Sequence, residues 1–308
     1  MKQKFSWLLG LACWPGLVFA AVVPEIPVGA EAVAAAATTP APKAAEPALP
    51  RWELGLGTAV LNTPDYRGAD QGQTYVLPLP YVIYRGEVLR VSRGGVKGTL
   101  FRSQRLHLDM SLNASTPVES EGNEARRGMP DLDPSFELGP SLQVVLRKTS
   151  GPLPGMSLRL PVRGVLAVAR DFGRAEYVGW VAAPDLSLNW QGEGRRPWRA
   201  GMTLGPLFGD RSYHDYYYSV DPAFATADRP AYQARAGYSG MRLAGAVTRR
   251  LDKIWAGAFF RYDDLSGVVF EDSPLLREKH ALMTGFGIAW VFAESRAKAR
   301  TPASEPEP

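Results

Sequence analysis

The chain has 308 residues, 45% of them apolar and 21% charged, with 31 Gly and 26 Pro, which excludes a collagen or a wholly low-complexity polymer and leaves enough chain for one large domain. Its one cysteine, Cys13, excludes an internal disulfide, a thiolate zinc cluster and an iron–sulfur site. Thirty-five Lys and Arg against 31 acids is too even a balance to predict a nucleic-acid partner.

The first twenty residues, MKQKFSWLLGLACWPGLVFA, set Lys2 and Lys4 before an apolar stretch from Phe5 to Phe19 and end on Val18-Phe19-Ala20. This pattern predicts a secretory signal peptide, cleaved between Ala20 and Ala21. A competing reading makes Cys13 a lipidated N-terminus, but Gly10-Leu11-Ala12 lacks the leucine such signals carry three residues before the cysteine. From Ala21 to Pro50, 17 of 30 residues are Ala or Pro, without the apolar periodicity of a packed element. That stretch is predicted to be a disordered, partly polyproline linker. The end, 293–308, is polar and Pro-containing and reads as a solvated tail. The folded unit is predicted over 51–292.

Outside the leader no segment approaches the roughly 18 to 20 consecutive apolar residues of a transmembrane helix. The apolar period is two. In RLHLDMSLN, Leu106, Leu108, Met110 and Leu112 oppose Arg105, His107, Asp109 and Asn113, and in FELGPSLQVVLR, Phe136, Leu138, Leu142, Val144 and Leu146 oppose Glu137, Ser141, Gln143 and Arg147. MSLRLPVRGVLAVAR sets Leu158, Leu160, Val162, Leu166 and Val168 against Arg159 and Arg163. YVGWVAAPDLSLNW sets Val178, Trp180, Leu186, Leu188 and Trp190 against Asp185, Ser187 and Asn189.

Such dyads suit a soluble sandwich or a membrane barrel, and loop parity separates the two. Twelve strands are predicted, near 51–61, 73–84, 86–93, 95–101, 105–114, 134–147, 156–170, 175–191, 197–208, 232–250, 253–263 and 281–292. All the long connections, 62–72, 115–133, 209–231 and 264–280, follow odd strands, and those after even strands are short. An even strand number, one end of long loops, one end of tight turns and an export signal predict an all-β, antiparallel up-and-down barrel of the outer membrane. Its ligand would be outer-membrane lipid, and both termini would be periplasmic.

In the last strand, Leu282, Phe286, Ile288, Trp290 and Phe292 alternate with Ala281, Gly285, Gly287 and Ala289. Gly287, Trp290 and Phe292 resemble the C-terminal insertion signal of outer-membrane barrels, although sixteen residues follow Phe292. Trp52, Trp180, Trp190, Trp198 and Trp290, near strand ends, fit interfacial girdles.

Several short motifs recur in a family order: Pro64-Asp65-Tyr66-Arg67-Gly68, Tyr216-Tyr217-Tyr218-Ser219-Val220, Pro230-Ala231-Tyr232, Gly237-Tyr238-Ser239-Gly240 and Asp272-Ser273-Pro274-Leu275. With them the region from Trp52 to Phe292 resembles the MipA/OmpV family of outer-membrane proteins, named for MltA-interacting protein. The resemblance implies a scaffold linking a lytic transglycosylase to a murein synthase and, for other members, a porin-like or drug-uptake role. A passive channel for small solutes is therefore the alternative to a scaffold. The family brings no catalytic motif and no cofactor.

The residues agree that no catalytic, cofactor or metal site is to be expected. His107, His214 and His280 have no metal spacing, and none sits in an activated-nucleophile pattern. Arg90, Lys97, Arg159, Arg163, Arg199, Arg235 and Arg261 are predicted to line the lumen with His107, Glu53, Asp109, Glu137, Asp185 and Asp263. Two readings follow from that excess of arginine: a pore favouring anions, or a lumen filled by charges that pair across it. The cluster Tyr213 to Tyr218 is read either as a ligand surface or as loop packing at the headgroup level.

Overall fold

A computed structural model describes residues 50–85, 89–92, 95–171, 173–192 and 198–297, and for 85, 89–92, 95–99 and 102 the backbone alone. The predicted leader, cleavage site, nearly all of the linker and most of the tail lie outside the described residues.

Thirteen strand segments follow in chain order: β1 (Trp52–Pro64), β2 (Gly72–Arg85), β3 (Leu89–Ser92), β4 (Gly95–Arg102), β5 (Leu106–Ala114), β6 (Ser135–Arg147), β7 (Gly155–Val168), β8 (Ala175–Ala182), β9 (Asp185–Gln191), β10 (Trp198–Gly209), β11 (Gly237–Leu251), β12 (Ile254–Asp264) and β13 (His280–Glu294). One helix, α1 (Arg211–Tyr218), lies between β10 and β11. Every pairing is antiparallel, and the sheet closes on itself where β13 pairs with β1 and β10 with β11. Segments β8 and β9 are halves of one barrel strand, because each pairs with β7 on one side and β10 on the other. The break falls at Ala183-Pro184, where proline brings no N–H to the ladder. The architecture is a closed barrel of twelve strands, as the alternation predicts.

The faces follow the dyads. Large apolar side chains point outward and stay exposed around the whole ring, among them Leu56, Leu142, Leu160, Leu204, Val247 and Phe286. A soluble protein rarely exposes a contiguous apolar belt; a barrel in lipid requires one. Trp290 and Phe292 of the predicted insertion signal are 58% and 52% exposed on this belt, with Gly287 paired to Ala59. The strand continues past Phe292 to Glu294. Trp52, Trp190, Trp198 and Trp290 all sit toward the tight-turn end of their strands, which makes the girdle denser there.

Two strand readings need correction. Val178, predicted outward, is buried inside. Val165 pairs with Gly179 and Leu166 with Tyr177, so Val178 is the extra residue of a bulge and the alternation resets across it. The strand predicted from residue 232 begins at Gly237. Residues 232–236 belong to the preceding loop, where Tyr232 bonds back to Val220.

The long connections, 65–71, 115–134, 210–236 and 265–279, share one end, and tight turns such as 103–105 and 252–253 occupy the other. The first and last described residues meet at the turn end, where the Arg51 amide donates to the Ala297 carbonyl at 2.9 Å. The wall is uneven in one place: β3 and β4 pair over only Leu89↔Gly98 to Ser92↔Gly95, beside a fourteen-residue β2.

Candidate functional site

The inner wall carries paired charges at three levels. Nearest the loops, Asp263 on β12 is gripped by Arg242 of β11 at 2.7 Å, by Arg261 at 3.2 Å and by Arg67 of the first long loop at 3.5 Å. Lower, Arg163 meets Glu137 at 2.8 Å and donates to the Ser111 hydroxyl at 3.3 Å. Arg159 grips Asp185 through two bonds of 2.9 Å. Toward the turns, Glu53 accepts from the Tyr81 hydroxyl at 3.1 Å and pairs with Arg250. All of these side chains except Arg250 are buried.

Their register explains the pairing. Arg159↔Asp185 and Arg242↔Asp263 are direct cross-strand neighbours, and Arg163 lies two residues diagonally from Glu137, whose partner is Val165. Such pairs run along the wall rather than across the lumen as the filled-lumen reading supposed. Glu53–Arg250, between strands three apart, and Arg67, reaching from a loop, bridge the interior.

The other predicted lumen residues are placed as follows. His107 and Asp109 are half-buried on β5 and Arg199 half-buried on β10. The side chains of Arg90 and Lys97 lie outside the described residues. Arg235 does not line the lumen: it is exposed in the loop before β11, and its carbonyl instead meets His214 Nδ1 at 2.6 Å.

Above the charges the long loops fold into a cap. Asp210 caps α1, accepting from the Tyr213 amide at 2.9 Å and from the Trp180 amide at 3.1 Å. The helix packs Tyr213 against Val165, Val178 and Val181 on the inner wall. Gly179, at φ +119°, permits this approach, since any side chain there would collide with Asp210 Oδ1 and the Tyr213 amide. Tyr218 stacks on Phe270 at 3.7 Å and donates to the Arg67 carbonyl at 2.9 Å. Tyr66 donates to the Leu275 carbonyl at 2.8 Å, and Ser273 to the Tyr218 carbonyl at 2.6 Å. Arg126 donates to the Tyr217 and Pro130 carbonyls and to the Ser120 hydroxyl, and Arg229 to the Ala125, Arg127 and Phe224 carbonyls.

His214 is fully buried against Phe270. Burial holds its pKa below the ordinary imidazole value, the Arg235 carbonyl opposes that shift, and nearby Arg67 adds to it. Burial likewise pushes the Tyr66, Tyr213 and Tyr218 hydroxyls up, so all three stay protonated.

The motifs scattered along the sequence thus meet in one place. Tyr66 and Arg67, Tyr218, Ser239, Ser273 and Leu275 are mutual neighbours joining cap to wall. The tyrosine cluster is a helix seated inside the barrel mouth, not a layer at the headgroups. The sequence reading missed that helix; Asp210 ahead of it was the available N-cap signal.

Between cap and clamp lies a cavity of about 60 Å³, lined by Arg67, Glu137, Arg163, Arg242, Arg261 and Tyr213 among others. That is room for roughly four waters. Among the described residues no group of His, Cys, Asp and Glu is arranged to hold a metal ion.

No curated protein matches the chain. Solved barrels align at low identity: the NanC porin (10% identical, TM-score 0.37, 76% of this chain and 98% of that one), the Pseudomonas putida toluene transporter TodX (10%, 0.30, 84% and 93%) and the CymD monoaromatic hydrocarbon channel (10%, 0.28, 80% and 90%). The family model described as MltA-interacting protein MipA matches residues 56–292, a span that holds nearly the whole barrel, the cap and the arginine clamp. The chain is a member of the MipA family.

Proposed function

We propose that this barrel is a non-enzymatic scaffold of the outer membrane for murein-synthesising and murein-hydrolysing machinery. The observation that carries this reading is the cap over the mouth: the long loops form a hydrogen-bonded layer anchored on α1, and the pocket between it and the arginine clamp holds about 60 Å³. A diffusive channel for small solutes needs a continuous aqueous path, which a plugged lumen does not provide. The family's description, MltA-interacting protein, supports a lytic transglycosylase as one partner; a murein synthase is the second partner in this reading.

The barrel's first and last described residues lie at the tight-turn end, which in the scaffold reading faces the periplasm. The Ala/Pro-rich stretch 21–50 is, in this reading, an exported tether. Thirty residues at about 3.1 Å each reach on the order of 90 Å.

Planar-bilayer recording of the purified barrel tests the sealed lumen, and near-silence is expected; a steady conductance in most insertions refutes the scaffold in favour of a channel. Deleting Val22 to Leu49 tests the tether. Heat-modifiable migration should survive the deletion, and co-purification with murein enzymes should weaken. Unchanged co-purification refutes the tether.

A further inference from the structure

Strand β2 has a complete neighbour on one side only. It pairs with β1 over its whole length, from Trp52↔Tyr84 to Pro64↔Gly72. On its other side it meets β3 only at Tyr84↔Val91 and Arg85↔Arg90. The β3–β4 pairing ends at Ser92↔Gly95, and β4 follows β5 only as far as Asp109, although β5 runs on to Ala114. Among the described residues, β2 from Gln73 to Pro80 therefore has no strand beside it opposite β1. Val76, in the middle of that stretch, is 69% exposed, more than any other large apolar side chain described.

The sequence fits this open edge. The Asp65 amide donates to the Gln71 carbonyl at 3.0 Å, so the pairs Thr63↔Gln73, Gly57↔Leu79 and Gly55↔Tyr81 also exchange bonds with β1, by the alternation of an antiparallel ladder. The residues between them, Thr74, Val76, Pro78, Pro80 and Val82, then turn their backbone groups to the open side. Two of these five positions are prolines, which have no N–H to give. A strand docking here would find its ladder broken at successive sites, the arrangement that protects natural sheet edges from pairing. Backbone donors facing hydrocarbon are costly, and the same prolines reduce their number.

Both faces of β2 are apolar. Outside are Val76, Pro78, Pro80 and Val82; inside are Tyr75, Leu77, Leu79, Tyr81 and Ile83. Leu79 packs on a buried interior cluster of Tyr81, Ile83, Trp255, Ala289 and Val291. At the loop end the gap is bridged, where Gln71 accepts from the Glu124 amide at 2.6 Å and Asn123 donates to Asp65 at 2.8 Å.

We propose that the wall between β2 and β5 is a lateral opening through which the acyl chain of a membrane lipid passes from the bilayer onto Leu77 and Leu79. The opening lies within the lipid-facing belt, its edge is built against a protein strand, and the surface behind it is apolar. An acyl chain satisfies all three conditions.

The sequence has one cysteine, Cys13, and each variant also carries Cys13→Ser, so the introduced cysteine reports alone. The variants are Val76→Cys outside, Leu77→Cys and Leu79→Cys inside, and Ala244→Cys on the inner wall of β11. Each is placed in vesicles containing a maleimide carried on a fatty-acyl chain, and separately in vesicles exposed to a sulfonated, water-borne maleimide. Val76→Cys confirms insertion. The acyl reagent should label Leu77→Cys and Leu79→Cys within about tenfold of the Val76→Cys rate, and Ala244→Cys far more slowly, because only the first three adjoin the hydrocarbon. Labelling of both inner leucine positions as slowly as Ala244→Cys overturns the proposal, and so does faster labelling of them by the sulfonated reagent.

Discussion

Replacing Asp263 with asparagine keeps its shape and removes the charge that three guanidiniums share. Arg242, Arg261 and Arg67 lie 2.7, 3.2 and 3.5 Å from its carboxylate, which is 1% exposed. Removing one partner of a buried ion pair costs about 3–5 kcal/mol, because the remaining charge is neither solvated nor paired. Here the remainder is three like charges on two strands and a loop, so the upper part of that range is expected. Arg67 is the least committed of the three to the barrel: it enters from the loop after β1, and its carbonyl holds the Tyr218 hydroxyl. Relief of the repulsion should therefore push Arg67 outward and loosen the cap before the barrel itself unfolds.

Urea unfolding in detergent, followed by heat-modifiable migration, measures the loss, and bilayer conductance reports the cap. The double variant Asp263→Asn/Arg67→Met supplies the decisive comparison. Removing one of the three cations should recover about 1 kcal/mol or more of the loss, a coupling expected only within one charge network. If Asp263→Asn unfolds like the parent, or the two substitutions are additive, the clamp contributes no such energy and the account of the cap fails.

Three other outcomes follow. Leu142→Arg, on the outer face of β6, should cost about 2–4 kcal/mol of insertion if it lies near the bilayer midplane; an equally large loss for Arg159→Met/Asp185→Leu, which removes a whole inner pair, would contradict the assignment of faces. Cysteines at the exposed loop positions Glu121 and Ala227 should react with an impermeant maleimide on intact cells, and one at Pro152 in the opposite turn only after lysis; labelling of Pro152→Cys on intact cells reverses the orientation. The cap should loosen in acid. His214 has a depressed folded pKa, so its contribution is present above the unfolded value near 6.5 and is lost as pH falls below it, where the unfolded chain takes up the proton first. Proteolysis of the 210–236 loop should increase below about pH 6.5, and His214→Gln should flatten that dependence; an equally steep response in the variant assigns it to other groups.

The period-two alternation alone determined the strand type, the two faces and, with loop parity, the ring of twelve. It had this power because side chains on a pleated strand have only two directions, and lipid and lumen select opposite chemistries for them. The same arithmetic failed at Val178, where one bulged residue resets the alternation, and at 232–236, where apolar and polar residues happen to alternate in a loop. Neither event leaves a local signature, since each depends on what the neighbouring strand offers. Export and the linker are readings of composition alone.

Only the tertiary structure decided what the charges do. The sequence places Arg159 and Arg163 on the inner face, yet their partners Asp185 and Glu137 are chosen by cross-strand register, which the order of residues does not state. The cap is still less legible: Tyr66, Tyr218 and Ser273 lie up to 207 positions apart and become neighbours because the closed barrel gathers its long loops over one mouth. The prolines of β2 were readable as residues but not as the guard of an open edge, for that meaning needs the shortness of the hairpin beside them.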